Sequence, residues 1–272
     1  MGFSLMRSAL FVPATRLDRV AKAWASGADA VIVDLEDAVA PDAKDTARQQ
    51  LVGYLQDAPR PVWVRINAGD TDEFEADLAV CRAQAGLAGL VLPKAEHDAA
   101  LSRATATGLP VMALVETPAG VDELNAIAAT SGVQRLCFGI LDFMEALGTR
   151  PQTAAAQAVL QTLRFKVLLA SRRQGLADPL DTVYPDFSDT VGLQAFAQDA
   201  RDLGFGGMLC IHPRQVPVVH AVHAVSEAEQ AWARRVLAHH QQTGSLAFQL
   251  DGQMVDQPVI SRARRIIAQA GA

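Results

Sequence analysis

Two carboxylates, Glu116 and Asp142, stand 26 residues apart, close behind the apolar runs Val111-Met-Ala-Leu-Val115 and Arg135-Leu-Cys-Phe138. That interval is one β/α unit, so the spacing predicts them on neighbouring strand ends about 5 Å apart. Oxygen donors so placed suit Mg²⁺, with water or substrate completing the octahedron. They equally suit capping of a helix or pairing with a basic residue. Arg65 interrupts the apolar run Val62-Trp-Val-Arg-Ile66, where a guanidinium is costly unless paired. Either it forms an ion pair with Asp34, Glu36 or Asp37, or its fork captures a substrate carboxylate. The three acids cannot all be ligands without repelling one another. Glu36 and Asp37 are assigned to orienting metal-bound waters and arginines, and Asp34 to structure. Lys94, after Pro93, could form a Schiff base, although a rim salt bridge is the simpler reading. The pairs His220/His223 and His239/His240 read as surface or packing groups, which disfavours zinc.

These side chains need a scaffold, and the sequence offers eight short runs rich in Val, Ile and Leu, separated by helical stretches. They begin near Ala9, Ala30, Val62, Gly89, Val111, Arg135, Asp181 and Gly207, and a last helical stretch covers residues 216–240. Strands buried on both faces look this way, and eight β/α units predict a (β/α)8 TIM barrel over residues 1–240. The rival, an open doubly wound sheet, lacks G-x-G-x-x-G after the first strand and any G-x-x-x-x-G-K-[ST]. The seventh run is short and carries Pro185. A polar break at residues 241–245 separates a C-terminal tail, 245–272, expected as an appended helix or lid opened by Pro258.

Composition narrows the function. With 30 acidic against 24 basic residues in 272, the net charge is -6, which argues against a nucleic-acid partner. No apolar run reaches the ~18 residues of a membrane span, so no membrane partner is expected. Cys81, Cys137 and Cys210 are too scattered for a disulfide framework and read as small core residues. The expectation is a soluble, cytoplasmic protein.

Seven segments together resemble the citrate lyase β-subunit-like proteins of the HpcH/HpaI aldolase superfamily. They are Arg7-Ser-Ala-Leu-Phe-Val-Pro13, Asp34-Leu-Glu-Asp-Ala-Val39, Val64-Arg-Ile-Asn67, Pro93-Lys94, Glu116-Thr-Pro-Ala-Gly120, Phe138-Gly with Asp142, and Ile211-His-Pro-Arg-Gln215. The resemblance implies a Mg²⁺-dependent barrel that cleaves or forms a C–C bond beside a thioester, of citryl, malyl or citramalyl type, on coenzyme A or an acyl carrier. It implies Glu116 and Asp142 as metal ligands, Arg65 and Arg7 as holders of the oxoacid carboxylate, and Gly139 where backbone amides face the oxoacid. The tail Gly252-Gln-Met-Val-Asp-Gln-Pro258 resembles the lid of citramalyl- and malyl-CoA lyases. There the aspartate, here Asp256, reaches a neighbouring subunit's site, so the resemblance implies a homotrimer with Asp256 as the proton-transfer group. Leu141 stands where the family commonly has glutamate and Met208 where it commonly has lysine, both expected near the mouth. Rival readings are a metal-dependent class II aldolase on a free hydroxy-oxoacid and a non-catalytic barrel subunit of a larger lyase complex.

Overall fold

The apolar runs form eight parallel strands: β1 (Ser8–Pro13), β2 (Ala30–Asp34), β3 (Val62–Arg65), β4 (Leu87–Leu92), β5 (Val111–Val115), β6 (Val133–Phe138), β7 (Leu180–Asp181) and β8 (Gly207–Cys210). In this computed structural model, which describes residues 5–82, 84 and 86–270, the strands close in sequence order and β1 pairs with both β2 and β8. The TIM barrel expected from the spacing is the observed fold. Strand β7 shrinks to two residues between Pro179 and Pro185, neither of which has an N–H to give the ladder.

Helices fill the crossovers: α1 (Val20–Ala25), α2 (Lys44–Gln56), α3 (Glu73–Cys81), α4 (Ala99–Thr105), α5 (Pro118–Asp122), α6 (Leu124–Ala129), α7 (Ile140–Ala146), α8 (Ala154–Gln174), α9 (Thr190–Leu203) and α10 (Gln215–His223). Side chains alternate across each strand. Ala9, Ile32, Trp63, Val91, Met112, Leu114, Cys137, Leu180 and Leu209 form the inner cluster, while Leu10, Val31, Val33, Val64, Leu90, Ala113, Leu136 and Met208 pack outward against the helices. Continuing the inward parity to the strand ends selects Phe11, Asp34, Arg65, Glu116, Gly139 and Thr182. The polar groups of the mouth are thus fixed by the same period that fills the barrel. Met208 is 1% exposed in the outer layer, opposite Ser8 at the start of β1, so its difference from the family lies away from the mouth.

The single helix expected over 216–240 is two, α10 and α11 (Glu227–Thr243). Ser226 breaks them, its hydroxyl capping Glu229 N while the Glu229 side chain returns to Ser226 N. The tail holds a hairpin before its helix: β9 (Phe248–Leu250) and β10 (Gln253–Val255) joined through Asp251-Gly252, both at positive φ, then α12 (Gln257–Ala270). Ala233 and Val236 of α11 pack with Val255, Ile260, Ala263 and Ile266. Contacts therefore divide the chain into Met6–Val222 and a second compact unit beginning at His223, earlier than the break expected at 240–245. No helix among the described residues is long and apolar enough to cross a membrane.

Beneath β7, Arg164 of α8 and Asp181 are both fully buried and paired, Nε to Oδ1 at 3.2 Å and Nη2 to Oδ2 at 2.7 Å. Nη2 also donates to Phe196 O, and the guanidinium lies over the Phe196 ring. Removing one member strands a buried charge, which typically costs about 3–5 kcal/mol, whereas a well-packed apolar pair is often neutral. Arg164→Met should lose stability of that order in urea denaturation, and adding Asp181→Leu should restore most of it. A double variant no more stable than the single one contradicts this account of the pair.

Candidate active site

Arg65 ends β3 pointing inward and meets three carboxylates, Asp34 at the end of β2 and Glu36 and Asp37 from the loop after it. Its Nε and Nη2 donate to Asp34 Oδ1 and Oδ2 at 2.7 and 2.6 Å. Its Nη1 lies 2.9 Å from Glu36 Oε2 and 3.5 Å from Asp37 Oδ2. The guanidinium sits over the Phe11 ring, 4.9 Å from its centroid. Asp34 thus occupies one edge of the Arg65 guanidinium, as the ion-pair reading expected, and Nη1 is the nitrogen turned toward Glu36 and Asp37. Glu36 Oε2 is buried, and despite the ion-pair contact it has no hydrogen bond of good geometry.

Glu116 follows β5 and is 4% exposed. Its Oε1 accepts the backbone N–H of Lys94 at 2.9 Å. Lys94 makes that bond from a left-handed conformation, φ 46°, a strained state for a side-chain-bearing residue that is found where surrounding structure demands it. Its Nζ lies 4.0 Å from Glu36 Oε1, the rim salt bridge expected for it. A Cβ on Gly139 would overlap Glu116 Oε2, so only glycine lets the carboxylate lie there.

Asp142 belongs to the first turn of α7, not to a strand end as the spacing suggested. Thr182, one residue beyond β7, fixes that turn by accepting Ile140 N at 3.2 Å. The Gly139 amide itself donates to Val115 O at 3.1 Å, and the residue makes room for Glu116 by its small size. Arg7 is the clearest correction. It precedes β1, at the opposite end of the barrel, where Asp29 takes its Nε and Nη2 at 2.9 Å each and its backbone N–H at 2.7 Å. It cannot hold an oxoacid beside Arg65.

The mouth therefore gathers Asp34, Glu36, Asp37, Glu116 and Asp142 around Arg65 and Lys94, with Lys44 on the backbone of the acidic loop, five carboxylates against three cations. Burial pushes the Glu36 carboxyl up to about 8, with Arg65 opposing and Glu116, Asp37 and Asp34 adding to the rise. Burial likewise pushes Glu116 up to about 7, against the Lys94 amide and helped by Asp142. Among the described residues no three His, Cys, Asp or Glu side chains converge into a closed metal cage. Two carboxylates with excess negative charge fit a hard cation that keeps several waters, as Mg²⁺ does. Leu141 is 53% exposed on this rim. Asp256 opens α12 in the second unit, its Oδ1 accepting Val259 N at 3.4 Å.

The sequence reading missed three contributors. Thr182 was within the expected seventh strand but carried no assigned role. Lys44 donates from Nζ to Leu35 O, Glu36 O and Asn67 Oδ1 at 2.9, 3.1 and 2.5 Å, bracing the acidic loop, and no strand-end pattern marks it. A cleft of about 730 Å³ opens beside β1 and β8, lined by Arg16, Arg19, Lys22, His212 and Arg214, with Asp18 the one lining carboxylate. Phe11 lines both this cleft and the carboxylate pocket. The three-residue spacing of Arg16, Arg19 and Lys22 was the available signal.

The HpcH/HpaI aldolase/citrate lyase family matches residues 7–213, and the C–C bond lyase family of the TIM-barrel fold matches residues 171–272. A citrate lyase subunit beta-like protein of Mycobacterium tuberculosis is 41% identical over 268 residues, covering 96% of this chain and 94% of that protein. A (3S)-malyl-CoA thioesterase of Cereibacter sphaeroides is 36% identical, covering 98% and 95%. The structure of protein CitE from M. tuberculosis in complex with magnesium, acetoacetate and coenzyme A superposes with a TM-score of 0.84 at 38% identity, covering 99% of both chains.

In metal-free protein, Glu116 and Glu36 keep their protons to higher pH when folded than when unfolded. The unfolded chain then binds fewer protons between about pH 5 and 8, so stability falls as pH rises through that window. Urea midpoints of chelator-treated protein should show the fall, flattened at its lower end by Glu116→Gln and at its upper end by Glu36→Gln. A rise across the window in wild type contradicts the burial of these acids.

Proposed function

The chain belongs to the HpcH/HpaI aldolase/citrate lyase family of carbon–carbon lyases, and we propose that it cleaves a β-hydroxyacyl thioester of the citramalyl, malyl or citryl type into a 2-oxoacid and an acyl thioester. The observation that carries this reading is the acidic pair Glu116/Asp142 beside Arg65, adjoining a basic cleft across Phe11. Free hydroxy-oxoacids would leave that cleft without a purpose, which disfavours the class II aldolase reading. Magnesium in the M. tuberculosis complexes supports the same ion here. Held by Glu116 and Asp142, Mg²⁺ would supply a Lewis acid that polarises the hydroxyl and the forming oxoacid carbonyl.

The protein's own groups do the rest. Arg65 presents Nη1 to the oxoacid carboxylate, and Asp34 fixes the guanidinium plane so that no reorganisation accompanies the reaction. Glu36 and Asp37 orient Arg65 and the waters of the site. As the hydroxyl proton passes to a site water oriented by Glu36 and Asp37, rupture of the C–C bond leaves the electron pair on the thioester side as an enolate. Asp256 of the partner subunit, in its protonated form, delivers a proton to the enolate carbon and regains one from water. Arg16, Arg19, Lys22 and Arg214 take the phosphates of the carrier, which the coenzyme A complex of CitE supports as coenzyme A. The proposed assembly is a homotrimer in the cytoplasm, where the three buried free cysteines face no oxidising demand.

The test is a Mg²⁺-supplemented cleavage screen against citramalyl-, malyl- and citryl-CoA, reading free 2-oxoacid. At least one thioester should be cleaved, with Glu116→Gln and Asp142→Asn inactive. Coexpressed Asp256→Ala and Arg65→Ala, each inactive alone, should regain about a quarter of the sites if a site needs one intact barrel and a neighbour's tail. Absence of oxoacid from every thioester overturns the lyase reading. Mixed oligomers with no more activity than either parent overturn only the shared site.

A further inference from the structure

Asp256 follows a hairpin too short to hold itself in place. Strands β9 and β10 pair over three residues each, Leu250 with Gln253, Gln249 with Met254 and Phe248 with Val255. A two-stranded ribbon of this length is marginal by itself in water, so its position is set by what it leans on. The last pair stands next to Asp256, because Val255 is the residue before it. Whatever fixes Phe248 therefore fixes the strand end from which Asp256 departs. The carboxylate needs that help, since its own hydrogen bond from Val259 N is long at 3.4 Å.

Helix α11 leans on the hairpin at three points. Arg235 Nη2 donates to Asp251 Oδ2 at the hairpin turn. One helical turn on, the His239 ring stacks on Phe248, with centroids 4.1 Å apart and planes 19° from parallel. His240 Nδ1 donates to Ser245 O at 2.9 Å, in the stretch that leads into β9. These supports are unequal. The Arg235–Asp251 pair is exposed on both sides, and such pairs hold little against water and salt. The stack is better protected, because Phe248 packs against the buried cluster of Val255, Ile260 and Ala263. His239 Nδ1 is buried there with no hydrogen-bond partner among the described residues. A nitrogen left unpaired is unfavourable, so the position uses the flat face of the ring and not its polarity.

We propose that His239 is a positioning residue for Asp256: through its stack on Phe248, and the pairing of Phe248 with Val255, it sets where the carboxylate stands at the start of α12. This rests on the proton transfer assigned to Asp256 above and adds the group that aims it.

Hydrogen exchange and steady-state kinetics on the full-length protein with Mg²⁺ test it. His239→Ala should speed exchange of the amides of residues 248–255 and of Val259 about tenfold while leaving the barrel strands unchanged. His239→Phe keeps the flat face without the unpaired nitrogen and should restore wild-type exchange. His239→Leu, which keeps bulk but no flat face, should behave as His239→Ala and serves if that variant does not fold. On whichever thioester the protein cleaves, the ringless variants should lower kcat about tenfold with KM and Mg²⁺ affinity within twofold, and His239→Phe should recover the rate. Unchanged exchange in the ringless variants, or a His239→Phe as impaired as they are, overturns the positioning role. A fall in kcat matched by loss of Mg²⁺ affinity also overturns it, because it marks general damage. If wild type cleaves no thioester the lyase reading falls, and the exchange of Val259 then decides alone whether His239 holds Asp256.

Discussion

A guanidinium 12% exposed at the top of a barrel core must be neutralised, and Arg65 is met by more negative charge than one cation can balance. Asp34 alone would satisfy it, by two charge-assisted hydrogen bonds. Glu36 and Asp37 are added to the same group, and Glu116 and Asp142 stand within their electrostatic reach. Burial holds protons on Glu36 and Glu116, and the neighbouring acids add to the effect, which is why their carboxyls titrate far above the ordinary range. In the proposed Mg²⁺ complex the same acids would serve as ligands and braces. The burial of excess negative charge around Arg65 is thus the feature from which both the proposed chemistry and the pH response follow.

The barrel makes this arrangement affordable. Inward parity places Asp34, Arg65 and Glu116 on one rim, at the ends of β2, β3 and β5, and the strand ladder holds their backbones without help from the charges. Local devices then aim each group. Lys94 accepts backbone strain to point an amide at Glu116, Gly139 gives up its side chain to make room for it, and Thr182 anchors the turn that carries Asp142. Lys44 and Asn67 brace the loop that holds Glu36.

Much of this was legible in the sequence because strands buried on both faces leave contiguous apolar runs, and the residues that end those runs must lie at the mouth. Arg65, Glu116 and the acids after β2 could be placed by that rule alone. Arg7 could not, since a charged residue just before an apolar run marks the opposite end of the barrel, and motif resemblance took precedence over that polarity. Asp142 was displaced by one helical turn because spacing does not say where β6 gives way to α7. The Asp251-Gly252 hairpin turn lies in the tail expected as an appended helix or lid, where its two three-residue strands are too short to show a period. The basic cleft lies on residues whose partners are distant in sequence, brought together by the closure of β8 on β1. Periodicity carries no information about such contacts.

The most direct test of the charge imbalance is the proton balance of Mg²⁺ binding, measured by calorimetry near pH 7 in buffers of different ionisation enthalpy. Carboxyls that titrate near 7 and 8 in the metal-free protein must give up protons when a cation takes their place. The account predicts net proton release on binding, diminished in Glu116→Gln. Magnesium binding with no proton release, or with proton uptake, would contradict it.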